Sequence, residues 1–185
     1  MTVEQSGFDQ LFIIHPKEFR DDRGYFFESF NQDQFYRQTG LRTTFVQDNE
    51  AKSKKGVLRG LHYQIAPYTQ SKLVRVVQGR VLDVVVDIRK NSETFGKSFS
   101  IELSADNKLQ LFVPKGFAHA YLVLEDDSIF SYKCDAFYNH KAEAGIRFDD
   151  PELNIEWPIS KDELIVSEKD LLLPLFEDHI PCHSF

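Results

Sequence analysis

The sequence predicts an all-β protein of one domain, an antiparallel sandwich or barrel. Three observations predict it. Short apolar runs at period two recur between turn signals, as strands of a half-buried sheet require. Strands alternating with long helices, the pattern of α/β folds, do not occur. The 185 residues, 42% hydrophobic and 14% aromatic, supply one ordinary core, and no linker, low-complexity tract or repeat divides residues 1–185.

The elements follow in order. Asn31 is placed to cap a helix running through Asp33, Phe35, Tyr36 and Arg37 and stopped by Gly40. Residues 72–89, KLVRVVQGRVLDVVVDIR, are β-branched and broken once by Gln78-Gly79, which reads as a hairpin turn. Phe99, Ile101 and Leu103 alternate with polar neighbours, as do Leu109, Leu111 and Val113. Pro114-Lys115-Gly116 interrupts that run, the strand pattern resumes from Ala120 to Leu124, and Asp126-Asp127 turns the chain into Ile129–Lys133. A second short helix is expected near Ser167, with Asp170 in its first turns.

Composition narrows the function. Lys and Arg number 22 against 29 Asp and Glu, a formal charge of −7. Nucleic-acid and anionic-membrane binders usually carry a basic footprint, so neither partner is expected. Cys134 and Cys182 are too few for a disulfide scaffold and lack zinc-site spacing. The opening residues MTVEQSGFDQ lack the basic-then-apolar order of a signal peptide, and no apolar stretch approaches a membrane span, so a cytoplasmic location is expected.

Three clusters concentrate polar residues. Residues 20–28, RDDRGYFFE, read by themselves as a solvated turn with Gly24 at positive φ. In residues 58–64, LRGLHYQ, strand geometry puts Leu58, Gly60, His62 and Gln64 on one face and Arg59, Leu61 and Tyr63 on the other. The glycines there leave room for a ligand or another backbone. The third cluster, Pro114-Lys115-Gly116-Phe117-Ala118-His119, resembles the second motif of the cupin superfamily, whose jelly-roll barrel holds a ligand or a metal. Metal-binding cupins also carry His-x-His and a downstream Glu. Here that stretch is His62-Tyr63-Gln64 and the next charged residue is Lys72, which offers a metal no lone pair, so no metal is expected.

The likeness tightens along the whole chain. FRDDRGYFFESF, FVQDNEAKSKKGVLRGLHYQ, KLVRVVQGRVLDVVVDIR, LFVPKGFAHAYLVLEDDSIFSYKC and the IEWPI…SEKD end together resemble the dTDP-4-dehydrorhamnose 3,5-epimerase family across roughly residues 8–175. The resemblance implies a cupin-type jelly-roll β-barrel with a few short helices at its periphery. It implies an isomerase that inverts the carbons on either side of a C4 ketone in a dTDP-4-keto-6-deoxyhexose, with no cofactor.

Such chemistry needs a base, donors to an enolate, and an acid on the opposite face of the sugar. The resemblance assigns His62 as base, Asp170 behind it and Tyr132 as acid. Lys72 and His119 would serve the enolate oxygen. Residue by residue it also implies substrate contacts at Arg23 and Arg59 (diphosphate), Tyr138 and Phe26 (thymine), Glu28, Gln47, Asn49, Glu143 and Lys169, with Asp48 lying between two of them. Without it, Asp170 reads as an exposed helix-start residue, Tyr132 as a satisfied barrel tyrosine and Lys72 as an exposed edge lysine. The family is further expected to be a homodimer whose N-terminal strands cross to the partner.

Alternatives within the fold are a C3-only or C5-only epimerase or a keto-isomerase. Outside it stand a non-enzymatic ligand-binding cupin and a metal-dependent dioxygenase, the latter weakened by Gln64 in place of a second ligand histidine. Ala120 departs from the glycine that many relatives carry after the histidine, and residues 177–185, Cys182 included, carry no interpretable motif.

Overall fold

The computed structural model describes residues 1–181. Its first strands are β1 (Thr2–Gln5), β2 (Phe12–His15), β3 (Glu18–Asp21) and β4 (Gly24–Phe27), followed by helix α1 (Gln32–Thr39). Then come β5 (Gln47–Ser53), β6 (Val57–Gln64), β7 (Lys72–Gln78), β8 (Arg80–Asp87) and β9 (Ser98–Ser104). The remainder is β10 (Gln110–Val113), β11 (Phe117–Val123), β12 (Ser128–Cys134), β13 (Glu143–Gly145), β14 (Ile165–Val166) and helix α2 (Glu168–Leu171).

Two six-stranded sheets face each other. The first runs β1-β2-β10-β7-β12-β5; the second runs β13-β6-β11-β8-β9, with β14 added in parallel on β6. Alternation sorts their side chains. Val74, Val76, Val81, Val85, Leu111, Phe117, Val123 and Phe130 pack between the sheets as the main core. Leu73 and Phe112 point outward from the first sheet and cover Phe35 of α1. Both predicted helices form as read. The Asn31 side chain accepts from the Gln34 N–H, Gly40 ends α1 at φ 74°, and Ser167 caps α2.

Gln78-Gly79 is not a hairpin turn. β7 and β8 belong to different sheets, and the glycine carries the chain across the barrel edge. Val76 and Val81 on either side of the corner are both core residues, so each strand gains more by facing the other sheet than by pairing with its sequence neighbour. A Cβ at Gly79, φ 74°, would stand 2.2 Å from the Ser128 Oγ. β11 also begins at Phe117, ahead of the expected Ala120. The C-terminal stretch packs on the second sheet: Phe176 is buried with Leu61 and Tyr63, and the Tyr63 hydroxyl donates to the Ile180 carbonyl at 2.8 Å. Cys182 lies outside the described residues.

The strict alternation expected of residues 58–64 breaks. His119 pairs with His62 but Tyr121 pairs with Arg59, so β6 spends one more residue than β11 over this step. That bulge, at Gly60-Leu61 opposite Ala120, turns Arg59 and His62 to the same interior while Leu61 and Tyr63 remain outside. Gly60 has φ 117°, and a Cβ there would lie 2.5 Å from the His119 carbonyl oxygen and 2.7 Å from Ala120. Gly60→Ala is therefore expected to cost about 2–4 kcal/mol of stability. Urea unfolding reads this as a lowered midpoint at unchanged slope, and a midpoint equal to wild type would contradict it.

Candidate active site

At inward positions of otherwise apolar strands, polar residues replace aliphatic ones, and where they gather the barrel is hollow. A cavity of about 520 Å³ opens between the sheets, lined among others by Arg59, His62, Lys72, His119, Tyr132 and Asp170. This is within the usual size of small-molecule sites. His62, Lys72 and Tyr132 also border a polar recess of about 140 Å³ with Gln47, Asn49, Tyr138 and Glu143.

His62 and Asp170, 108 residues apart, meet because α2 follows β14, which lies on β6. The His62 Nε2 stands 2.7 Å from the Asp170 Oδ1, and the Gly60 N–H donates to Oδ2 at 3.3 Å. Asp170 is buried, contrary to the exposed reading its sequence position suggests, whereas His62 keeps one side open to the cavity. Burial pushes the Asp170 carboxyl up in pKa, but the His62 hydrogen bond and charge, the Gly60 N–H and Ser167 outweigh it and hold it below its ordinary value.

Lys72 opens β7, which lies between β10 and β12, so it is no edge lysine. Burial pushes its pKa down, with Cys134, Asp83 and Glu143 pulling the other way. Tyr132 reaches the cavity from β12, in the sheet opposite His62. Burial keeps its phenol protonated beyond the ordinary range, against the opposing charge of Arg59. The Arg59 Nη2 donates to the Ser53 Oγ at 3.3 Å.

The rim of the recess is a chain of polar contacts. The Gln47 Oε1 accepts from the Tyr138 N–H at 2.9 Å, and its Nε2 donates to the Asn49 Oδ1 at 3.0 Å. The Tyr138 hydroxyl donates to the Glu143 Oε2 at 2.6 Å, where Lys169 Nζ also lies at 2.6 Å. Half of Tyr138 remains exposed, leaving a ring face free to take a planar ligand.

Four predicted contacts stand apart. Asp48 faces outward between Gln47 and Asn49 and pairs with Lys133 at 2.9 Å, because strand alternation sends it to the opposite face. Arg23 pairs with Asp21 on the β3–β4 hairpin, Phe26 is 65% exposed there, and Glu28 accepts from Asn31 and Gln34. The hairpin pairs with neither main sheet, and these three line neither the cavity nor the recess.

Tyr121 in the cavity lining, and Asp83 and Ser53 hydrogen-bonded to the lining residues His119 and Arg59, were singled out by no sequence motif. Asp83 interrupts the valine run of β8 on its inward face and was findable by period. Tyr121 lines the cavity stacked on Phe130 at 4.1 Å, and burial pushes its phenol up to about 12. Among the described residues no three His, Cys, Asp or Glu side chains converge as a metal cage. What converges instead is a carboxylate-backed imidazole on one wall, a phenol on the other and an ammonium near both. That set can remove a proton from one face of a tetrahedral carbon and return one to the opposite face of the planar carbon that results.

Comparison with known proteins places the chain in one family. Residues 5–178 match the family described as dTDP-4-dehydrorhamnose 3,5-epimerase. The chain is 52% identical over 171 residues to the dTDP-4-dehydrorhamnose 3,5-epimerase of Shigella flexneri, covering 92% of this chain and 93% of that one. The crystal structure of the enzyme of that name from Elizabethkingia anophelis superposes with a TM-score of 0.93 at 50% identity, covering 96% and 97% of the two chains. The dTDP-6-deoxy-D-glucose-3,5-epimerase of Legionella pneumophila, solved with dTDP-4-keto-L-rhamnose, gives a TM-score of 0.90 at 45% identity, covering 94% and 92%.

The Asp170 carboxyl titrates lower in the folded chain than its ordinary 3.8, so the unfolded chain binds that proton more readily. Its contribution to stability is complete above the unfolded value and is lost as pH falls through the folded one. The stability gap between wild type and Asp170→Asn should shrink as pH falls below about 4. A gap unchanged down to pH 2.5 in denaturant titrations would refute this (roughly the acid limit of such titrations).

Proposed function

The chain belongs to the dTDP-4-dehydrorhamnose 3,5-epimerase family, and from that premise we propose that it converts dTDP-4-dehydro-6-deoxy-D-glucose into dTDP-4-dehydro-L-rhamnose. The observation that carries the assignment of roles is the opposition of His62–Asp170 and Tyr132 across one cavity. The fold is the cupin-type jelly roll.

A C–H beside the C4 ketone becomes acidic as the developing charge moves onto the ketone oxygen. His62 takes that proton, and Asp170, hydrogen-bonded to the far ring nitrogen, fixes the tautomer and stabilises the imidazolium. The Lys72 ammonium stabilises the enolate oxygen. Tyr132 then gives its phenolic proton to the carbon from the opposite face, solvent reprotonates the phenolate, and His62 releases its proton to solvent, restoring both groups. C3 and C5 each pass through this cycle, and no cofactor takes part.

The nucleotide half takes Arg59 in the cavity for the diphosphate and Tyr138 at the recess for thymine stacking. Gln47, Asn49, Glu143 and Lys169 serve as polar contacts. Arg23, Phe26 and Glu28 reach a site only across a dimer: the exposed β3–β4 hairpin of one protomer completes the site of its partner. Asp48 faces away from the cavity and holds Lys133. The setting proposed for this reaction is the cytoplasm.

Proton NMR of the enzyme with dTDP-4-keto-6-deoxyglucose in D₂O should show deuterium at both C3 and C5. Deuterium at one carbon would make the protein a mono-epimerase, and its absence would overturn the assignment. His62→Ala should lower turnover at least about 100-fold and remove exchange at both carbons. Tyr132→Phe should lose inversion while keeping some exchange, and full activity in either variant would break the assigned roles. Mixing inactive His62→Ala with inactive Arg23→Ala should restore about a quarter of wild-type activity, since a mixed dimer holds one intact site. No recovery after subunit exchange would disprove the shared site.

A further inference from the structure

The mechanism leaves a fully buried carboxylate beside its cavity unused. Asp83 on β8 has no exposed surface, and its two oxygens lie 3.0 and 2.9 Å from the His119 Nε2 on the adjacent strand β11. Both side chains point inward because Val81, Asp83 and Val85 share one face of β8, as Phe117, His119 and Tyr121 share one face of β11. A carboxylate removed from water is costly unless hydrogen-bonded, so this contact is what makes an Asp tolerable in a valine run.

A carboxylate oxygen only accepts, so the His119 Nε2 must carry the proton between them. Nδ1 is then the nitrogen left over, and it has no hydrogen-bond partner among the described residues. His119 lines the same cavity as His62, Lys72 and Tyr132, and its ring is backed by Phe130 at 6.1 Å. Asp83 acts on a second group as well. Burial disfavours the Lys72 ammonium, and Asp83 is among the groups that offset this.

We propose that Asp83 is a positioning residue for the sugar end of this site: it fixes the tautomer and orientation of His119, which presents Nδ1 to a hydroxyl of the substrate's hexose ring. The role rests on the epimerase reading above, since it presumes a hexose beside Tyr132. It does not involve the nucleotide contacts: Arg59 is held by Ser53, and Tyr138 by Gln47 and Glu143 at the recess.

Proton–nitrogen spectra of the imidazole rings in the full wild-type chain test the tautomer directly, with the His119 ring identified by its absence in His119→Gln. A proton on Nε2 is expected, and a neutral ring protonated on Nδ1 would overturn the proposal. Asp83→Asn should lower kcat about tenfold to hundredfold, leave dTDP affinity within about twofold and give mixed His119 tautomers. Unchanged kcat, or dTDP affinity falling in step with kcat, would overturn it. In the His119→Gln background the same substitution should cost no further kcat, whereas additive losses would show that Asp83 acts elsewhere. If Asp83→Asn does not fold, the wild-type spectra decide. If the wild-type enzyme puts no deuterium into the substrate, the epimerase reading falls while the tautomer result stands separately.

Discussion

One extra residue in β6 sets the interior of this barrel. Without the bulge at Gly60-Leu61, a strand of period two would send Arg59 and His62 to opposite faces. With it, both enter the cavity, and the displaced Gly60 N–H becomes a donor to Asp170. Only glycine fits there, because the backbone of β11 passes too close for a Cβ. The same close approach brings His119 beside the strand that carries His62. The arrangement of Arg59, His62 and Asp170 thus depends on one local departure from regular pairing.

Hollowing a small β-barrel and lining it with charge is costly, and the structure offsets the cost pair by pair. His62 leans on Asp170 and His119 on Asp83. Lys169 meets Glu143, which also accepts from Tyr138. Each carboxylate accepts from a side chain that lines the cavity or the recess, so neutralising it and orienting its partner are the same act. The net charge of −7 says little about this interior, where Arg59, Lys72 and two imidazoles set the local field.

The β3–β4 hairpin follows a different logic. It exposes Phe19, Tyr25 and Phe26, each more than half accessible, on an arm that neither main sheet claims. Phe19 and Phe26 pair on one face and Tyr25 lies on the other, exposed aromatic surface of the kind that contact sites carry. Its polar residues are held by short-range partners such as Asp21 to Arg23, and Arg75 stacks over Phe27 at its base. The arm is thereby shaped before anything binds it, which suits a segment proposed to complete a neighbouring site.

Much of this was legible in the residues. Period two and turn chemistry give the all-β class, Asn31, Gly40 and Ser167 mark both helices, and inward polar residues such as His62 and Tyr132 stand out in motifs. These are local signals, carried by a few consecutive side chains, and sequence by itself determined them. Which sheet a strand joins is not local: β7 and β8 part at Gly79 into different sheets, and the valines of both meet in the core between them. Nor could spacing show Asp170 behind His62, Asp83 behind His119, or Arg59 turned inward. Those relations join residues far apart in the chain or hang on a bulge, and only the packing of two sheets around one cavity decided them.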